Sequence, residues 1–139
     1  MMRLVLDTNV VVSGLLWDGK PRRLIQSALS GKSTLFSSLA MLDELGEVLA
    51  REKFRSRIEA LYLPVDEIVD RYADLTTVVR PRAIPRIAPD PDDDVVIGTA
   101  LAAAASLLVT GDKALLSALR FETVKIVPVS AAILALEGL

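Results

Sequence analysis

Histidine and cysteine are both absent from the sequence. Their absence excludes imidazole acid–base catalysis, a thiolate nucleophile and disulfide staples, and it serves zinc poorly, since that ion prefers nitrogen and sulfur donors. Aromatic residues make up only 4% of the chain, which argues against a platform for stacking nucleic-acid bases and for recognition of a backbone. No apolar run reads as a membrane span: the longest uncharged stretch, Val95 to Gly111, is broken by Ser106 and reads as a helix followed by the β-rich Leu107-Leu108-Val109-Thr110. Opposite charges nearly cancel, at −2 overall, so the net balance announces no polyanionic partner. Asp7 and Asn9 would interrupt the apolar segment of an export signal, and a soluble cytoplasmic protein is expected.

What is present is oxygen chemistry on a large apolar frame. With 139 residues and 52% hydrophobic content, the chain can bury one sizeable core, and the expectation is a single domain over residues 1–139. The remaining reactive groups are carboxylates, hydroxyls and amides, which suit hard cations such as Mg²⁺ and Mn²⁺. Their distribution is uneven. Acids gather at Asp90, Asp92, Asp93 and Asp94, while bases gather at Arg51, Lys53, Arg55 and Arg57 and again at Arg80, Arg82 and Arg86. Either basic run alone is an ordinary solvated face; a compact negative spot between positive stretches is what a cation site serving a polyanion needs.

Strand and helix signals alternate along the chain. Arg3 to Leu6 is a short apolar run suited to a strand buried on both faces, and Asn9 is placed to cap a helix from Val10 to Leu16. Pro21 sits in the first turn of a helix ending before Gly31, Thr34 to Phe36 reads as a second strand, and Ser37 or Ser38 caps a helix from Leu39 to about Arg51. Helices follow over Glu52 to Leu61 and Val65 to Leu75, the second behind Pro64, and then a strand from Thr76 to Val79. Pro81, Pro85, Pro89 and Pro91 mark a loop, after which Asp92 to Asp94 open a helix to about Ala105. Leu107 to Thr110 and Thr123 to Val127 are strands around a short helix from Lys113 to Leu119, and Ser130 caps the last helix. This alternation predicts an α/β fold, a three-layer α/β/α sandwich with a five-stranded parallel sheet in the order 3-2-1-4-5.

In such a sheet the crevice lies beyond the carboxyl ends of the strands where their order reverses. Asp7 ends the first strand and Asp112 follows the fourth after Gly111, so their carboxylates converge there, with Asp93 and Asp94 reaching the same edge. Any one of the latter is an ordinary helix cap, but three consecutive acids exceed what capping needs. On the helix after strand two, Leu39, Leu42, Leu45 and Leu49 mark the buried stripe; Glu47 points away, while periodicity leaves Asp43 and Glu44 equally placed at its margin.

Taken in order, Leu6-Asp7-Thr8-Asn9-Val10, Asp43-Glu44-Leu45, Asp92-Asp93-Asp94 and Val109-Thr110-Gly111-Asp112 resemble the successive motifs of PIN domains, from Leu4 to about Val127. More closely, the chain resembles the PIN-family toxins of bacterial and archaeal toxin–antitoxin systems, in a version that opens with the Asp7-to-Leu16 stretch. The resemblance implies a single PIN-like nuclease domain with Asp7, Glu44, Asp93 and Asp112 as the acidic site, supported by hydrogen bonds from Thr8, Asn9 and Thr110. The third acid falls on Asp93 or Asp94, and the Asp-Pro-x-Asp pattern, met by Asp90 and Asp93, selects Asp93. These acids, with Asp94 as a further metal ligand, are expected to hold one or two Mg²⁺ or Mn²⁺ ions that activate water at an RNA phosphate. Arg51, Lys53, Arg55, Arg80 and Arg82 are then candidates for positioning the RNA backbone. The resemblance further implies a tRNA or mRNA substrate, a homodimer, and a small antitoxin whose C-terminal segment wraps the toxin, with Leu15, Leu16 and Trp17 as part of its surface.

Two other readings compete. A haloacid-dehalogenase-like phosphatase would also use an aspartate after strand one, but it needs a second acid two residues later, where this chain has Asn9. A catalytically silent module could keep the acidic crevice as a docking surface, although docking alone does not require four acids at one point.

Overall fold

The computed structural model describes residues 1–85 and 91–138. Five parallel strands form the sheet's body: β1 (Met2–Leu6), β2 (Ser33–Ser37), β3 (Thr76–Val78), β4 (Leu107–Val109) and β6 (Val124–Val127). A two-residue strand β5 (Arg120–Phe121) pairs antiparallel with β6, giving the order β3-β2-β1-β4-β6-β5. The expected 3-2-1-4-5 order therefore holds for the parallel strands, and the sheet has six strands rather than five. The extra strand is one arm of a hairpin turning through Glu122 and Thr123, with Leu119 and Glu122 at positive φ.

Side chains alternate across the sheet because successive Cβ atoms point to opposite faces. Leu4, Leu6, Leu35, Leu107 and Val109 face one core, which is covered by α1 (Thr8–Leu16), α2 (Lys20–Leu29), α3 (Leu39–Leu49), α5 (Val65–Leu75) and α8 (Val129–Glu137). Val5, Phe36, Leu108 and Ile126 face the other, beneath α6 (Pro91–Ala102) and α7 (Lys113–Ala118). The result is the three-layer sandwich. Each buried leucine contributes about 1.5–3 kcal/mol of hydrophobic stabilisation, so the two clusters fix the strands and thereby the loops at their ends. Glu52 to Leu61 is a 3-10 turn (Glu52–Phe54) followed by the short α4 (Arg55–Ala60), not one continuous helix. Among the described residues no helix is long and apolar enough to cross a membrane.

Several helix starts differ from expectation. Asp7, not Asn9, is the cap of α1, with its Oδ1 accepting from the Thr8 N–H at 2.8 Å; the helix begins at Thr8, two residues before Val10. Ser38 caps α3 as one of the two expected residues. The last helix begins after Pro128, so Ser130 lies inside its first turn. Helix α6 starts at Pro91, a residue suited to a first turn, and ends at Ala102, short of Ala105.

The segment after β3 crosses to α6. Val79 N–H donates to the Ser37 carbonyl at 2.9 Å and Arg82 N–H to the Gly98 carbonyl at 3.0 Å. A Cβ at Gly98 would collide with the Arg82 carbonyl oxygen, so glycine is what allows this close approach. Asp90, Arg86 and Pro89, three of the residues singled out in the sequence, lie outside the described residues.

Candidate active site

Asp7 and Thr110 occupy adjacent strand ends. The Asp7 N–H donates to the Val109 carbonyl at 2.9 Å, and the Thr110 N–H to the Val127 carbonyl at 3.0 Å, extending the β1–β4–β6 ladder past the strands. Both backbones are thereby fixed before any side chain is placed.

Two buried threonines then tie three acids together. Thr110 Oγ1 donates to Asp7 Oδ2 at 2.7 Å and accepts from the Asp112 N–H at 3.0 Å. Thr8 Oγ1 donates to Glu44 Oε2 at 3.1 Å, while its own N–H holds the other oxygen of Asp7. A hydroxyl has one proton to give, so each threonine directs it to one carboxylate and the chain of contacts has a fixed sense. Asp112 Oδ1 in turn accepts from the Ala114 N–H at 2.8 Å as the cap of α7. The sequence Glu44–Thr8–Asp7–Thr110–Asp112 is thus one hydrogen-bonded line along the carboxyl edge of the sheet. Thr8 and Thr110 are buried, and the three acids are half-buried, with one side toward solvent.

The two acids that periodicity left open have different surroundings. Glu44 is half-buried and meets Thr8, whereas Asp43 is exposed. Asn9 is exposed and stands outside this line. The acids of α6 approach from the other face: Asp92 and Val95 share an open cleft of about 270 Å³ with Met41, Asp43, Glu44 and Glu47. Asp93 and Asp94 are half-buried in the same first turn. Helix α6 is registered to α3 at this point by a hydrogen bond between the Thr99 and Ser38 hydroxyls at 3.0 Å, both residues being fully buried.

The donors suit a hard divalent ion. Among the described residues no three acidic side chains stand together as a ready-formed metal cage. Both oxygens of Asp7 already accept a hydrogen bond, yet a carboxylate offers about four lone-pair sites, which leaves capacity for a cation.

The basic candidates lie elsewhere on the surface. Arg51, Lys53 and Arg55 follow α3, beginning about 10 Å along its axis from Glu44 at 1.5 Å per residue, and all three are exposed. Arg55 pairs with Glu52 at 3.5 Å and Glu59 at 3.3 Å. Arg80 is exposed, and Arg82 forms an ion pair with Glu122.

Sequence reasoning did not single out Tyr72. Its ring is buried in the core cluster beneath the site, beside Leu6, Thr8, Ser37 and Leu42, and its hydroxyl has no hydrogen-bond partner among the described residues. Burial pushes the phenol's pKa up. The signal was available, since Ile68 and Tyr72 are the two fully buried positions of α5 and lie four residues apart.

The chain matches the family model of the PIN domain over residues 3–114, a span that includes Asp7, Glu44, Asp93 and Asp112. No curated protein matches it.

Proposed function

The chain belongs to the PIN domain family, a nuclease-type family, and from that premise we propose that it is a Mg²⁺- or Mn²⁺-dependent endoribonuclease acting as the toxin of a toxin–antitoxin pair in the cytoplasm. The observation that carries the catalytic reading is the hydrogen-bonded line from Glu44 through Thr8, Asp7 and Thr110 to Asp112. A domain needing these acids only for solubility has no use for two buried hydroxyls that hold the Glu44 and Asp7 carboxylates and the Asp112 backbone at one edge.

Asp7 is the central group. Its two oxygens are held from opposite sides by the Thr8 N–H and the Thr110 hydroxyl, so its free lone pairs keep one direction. Glu44 and Asp112 flank it, and Asp93, with Asp94 beside it, completes the acidic set from the head of α6. A bound divalent ion supplies Lewis acidity at the phosphate and a more acidic water. The carboxylates orient the attacking water and the scissile phosphate, while Arg51, Lys53, Arg55, Arg80 and Arg82 hold the flanking phosphates of a tRNA or mRNA. The antitoxin, a small protein, covers Leu15 and Trp17 and blocks the crevice, and the toxin itself is a homodimer.

Incubating purified protein with total RNA in Mg²⁺, in Mn²⁺ and in chelator, beside an Asp7→Ala control, tests the reading. Metal-dependent cleavage absent from the control is the expected result. Equal cleavage by both proteins means a contaminating nuclease, and RNA binding without cleavage in any metal means a silent module.

A further inference from the structure

Two of the chain's few aromatic residues meet each other. Trp17, the cap residue at the end of α1, meets Phe54 edge-on, with ring centroids 6.0 Å apart and planes at 67°. Two cations lie over these rings: the Arg57 guanidinium 5.0 Å from the Trp17 centroid and the Lys53 ammonium 5.0 Å from that of Phe54. With both neighbours in place the indole keeps 39% of its surface exposed. Arg51 and Arg55 alternate with these residues along the same stretch.

We propose that Trp17 and Phe54, with Lys53 and Arg57, form a stacking platform for a base of single-stranded RNA at a distance from the acidic line. The inference rests on the ribonuclease reading and extends it to substrate recognition. Exposed aromatic surface interleaved with cations is what binding of single strands without sequence preference requires: a ring to stack on and positive charge for the phosphates. In the toxin free of antitoxin, charge selects RNA as the occupant of this surface, and the antitoxin competes with it for Trp17. Arg51, Lys53, Arg55 and Arg57 outnumber Glu52 and Glu59 around the rings, a surplus that complements a polyanion. Helix α1 sets the spacing. Asp7 caps its start and Trp17 its end, so the platform stands about 15 Å from the acids, roughly four nucleotides at the ~3.4 Å rise of a stacked strand. A strand gripped there is presented to Asp7 at a set register.

Trp17 is the sole tryptophan of the chain, so its fluorescence reports on the platform alone. The test titrates single-stranded oligoadenylate into the whole protein in chelator, which prevents metal-dependent cleavage. Saturable quenching that weakens with salt is expected. Followed by anisotropy of labelled oligoadenylate, affinity is expected to fall about tenfold or more in Trp17→Ala and about two- to fivefold in Arg57→Gln, whose exposed side chain can change without loss of fold. Unchanged fluorescence, or equal affinities for all three proteins, overturns the platform. Quenching that grows with protein concentration and no RNA also overturns it, because a second copy then occupies the surface. Cleavage that depends on Asp7 but proceeds without quenching sinks the platform and spares the nuclease, whereas quenching without any cleavage does the reverse.

Discussion

The acids at the carboxyl edge are held in two different ways. Asp7 and Asp112 follow strand ends and reach each other through Thr110, and Glu44 joins through Thr8, so this side is wired by hydrogen bonds to the sheet. Asp92, Asp93 and Asp94 ride on the first turn of α6, which is registered by packing: Thr99 on Ser38, and Gly98 against Arg82. Strand-borne groups inherit the precision of the ladder, whereas helix-borne groups inherit that of a helix–helix contact. The difference teaches where the site is rigid and which parts are adjustable.

The largest effect should fall on the wired side. Asp7→Asn keeps a capping residue, so the fold should survive while RNA cleavage drops by more than the ~10–100-fold that an outer partner of a metal ligand commands. Asp93→Asn should match it, with Asp92→Asn and Asp94→Asn each costing less than tenfold; a reversed ranking in the same cleavage assay moves the third acid to another position of the turn. Next comes Thr110→Val, for which a ~10–100-fold loss of cleavage is expected, with recovery in Thr110→Ser, because only the hydroxyl links Asp7 to Asp112. If valine and serine behave alike, the wiring is incidental.

The packed side should answer in stability rather than chemistry. Gly98→Ala forces the Arg82 strand of chain away from α6 and should cost about 1–3 kcal/mol, read as a lower denaturant midpoint. The smallest effect belongs to Tyr72. Removing its hydroxyl, which has no partner among the described residues, in Tyr72→Phe should leave stability unchanged or raise it by up to about 1 kcal/mol. The sign with pH follows from burial: the folded state keeps the phenol neutral, so its contribution is intact below the ordinary tyrosine value of about 10 and is lost as pH rises beyond it. Alkaline melting should therefore be less steep in Tyr72→Phe than in the parent; identical slopes would falsify that assignment.

Much of the fold was legible because apolar runs, prolines and turn residues act locally. Arg3 to Leu6 and Leu107 to Thr110 read as buried strands from composition alone, and both lie at the middle of the sheet. Strand β5 was not legible: two residues carry no period, and its formation depends on a hairpin with Leu119 and Glu122 at positive φ. Helix starts moved because Asp7 and Asn9 are both good capping residues and the sequence does not rank them; in the fold α1 begins at Thr8, with Asp7 at its head.

By itself the sequence determined which groups exist: carboxylates and hydroxyls without imidazole or thiol, set at strand ends whose order follows from alternating βα signals. Only the tertiary structure separated the surroundings of Asp43 from those of Glu44, showed which acids Thr8 and Thr110 link, and brought Trp17 to Phe54. Periodicity assigns a residue to a face of its own helix or strand; a hydrogen bond or ring contact also needs the partner's distance and direction, and those arise when the elements pack.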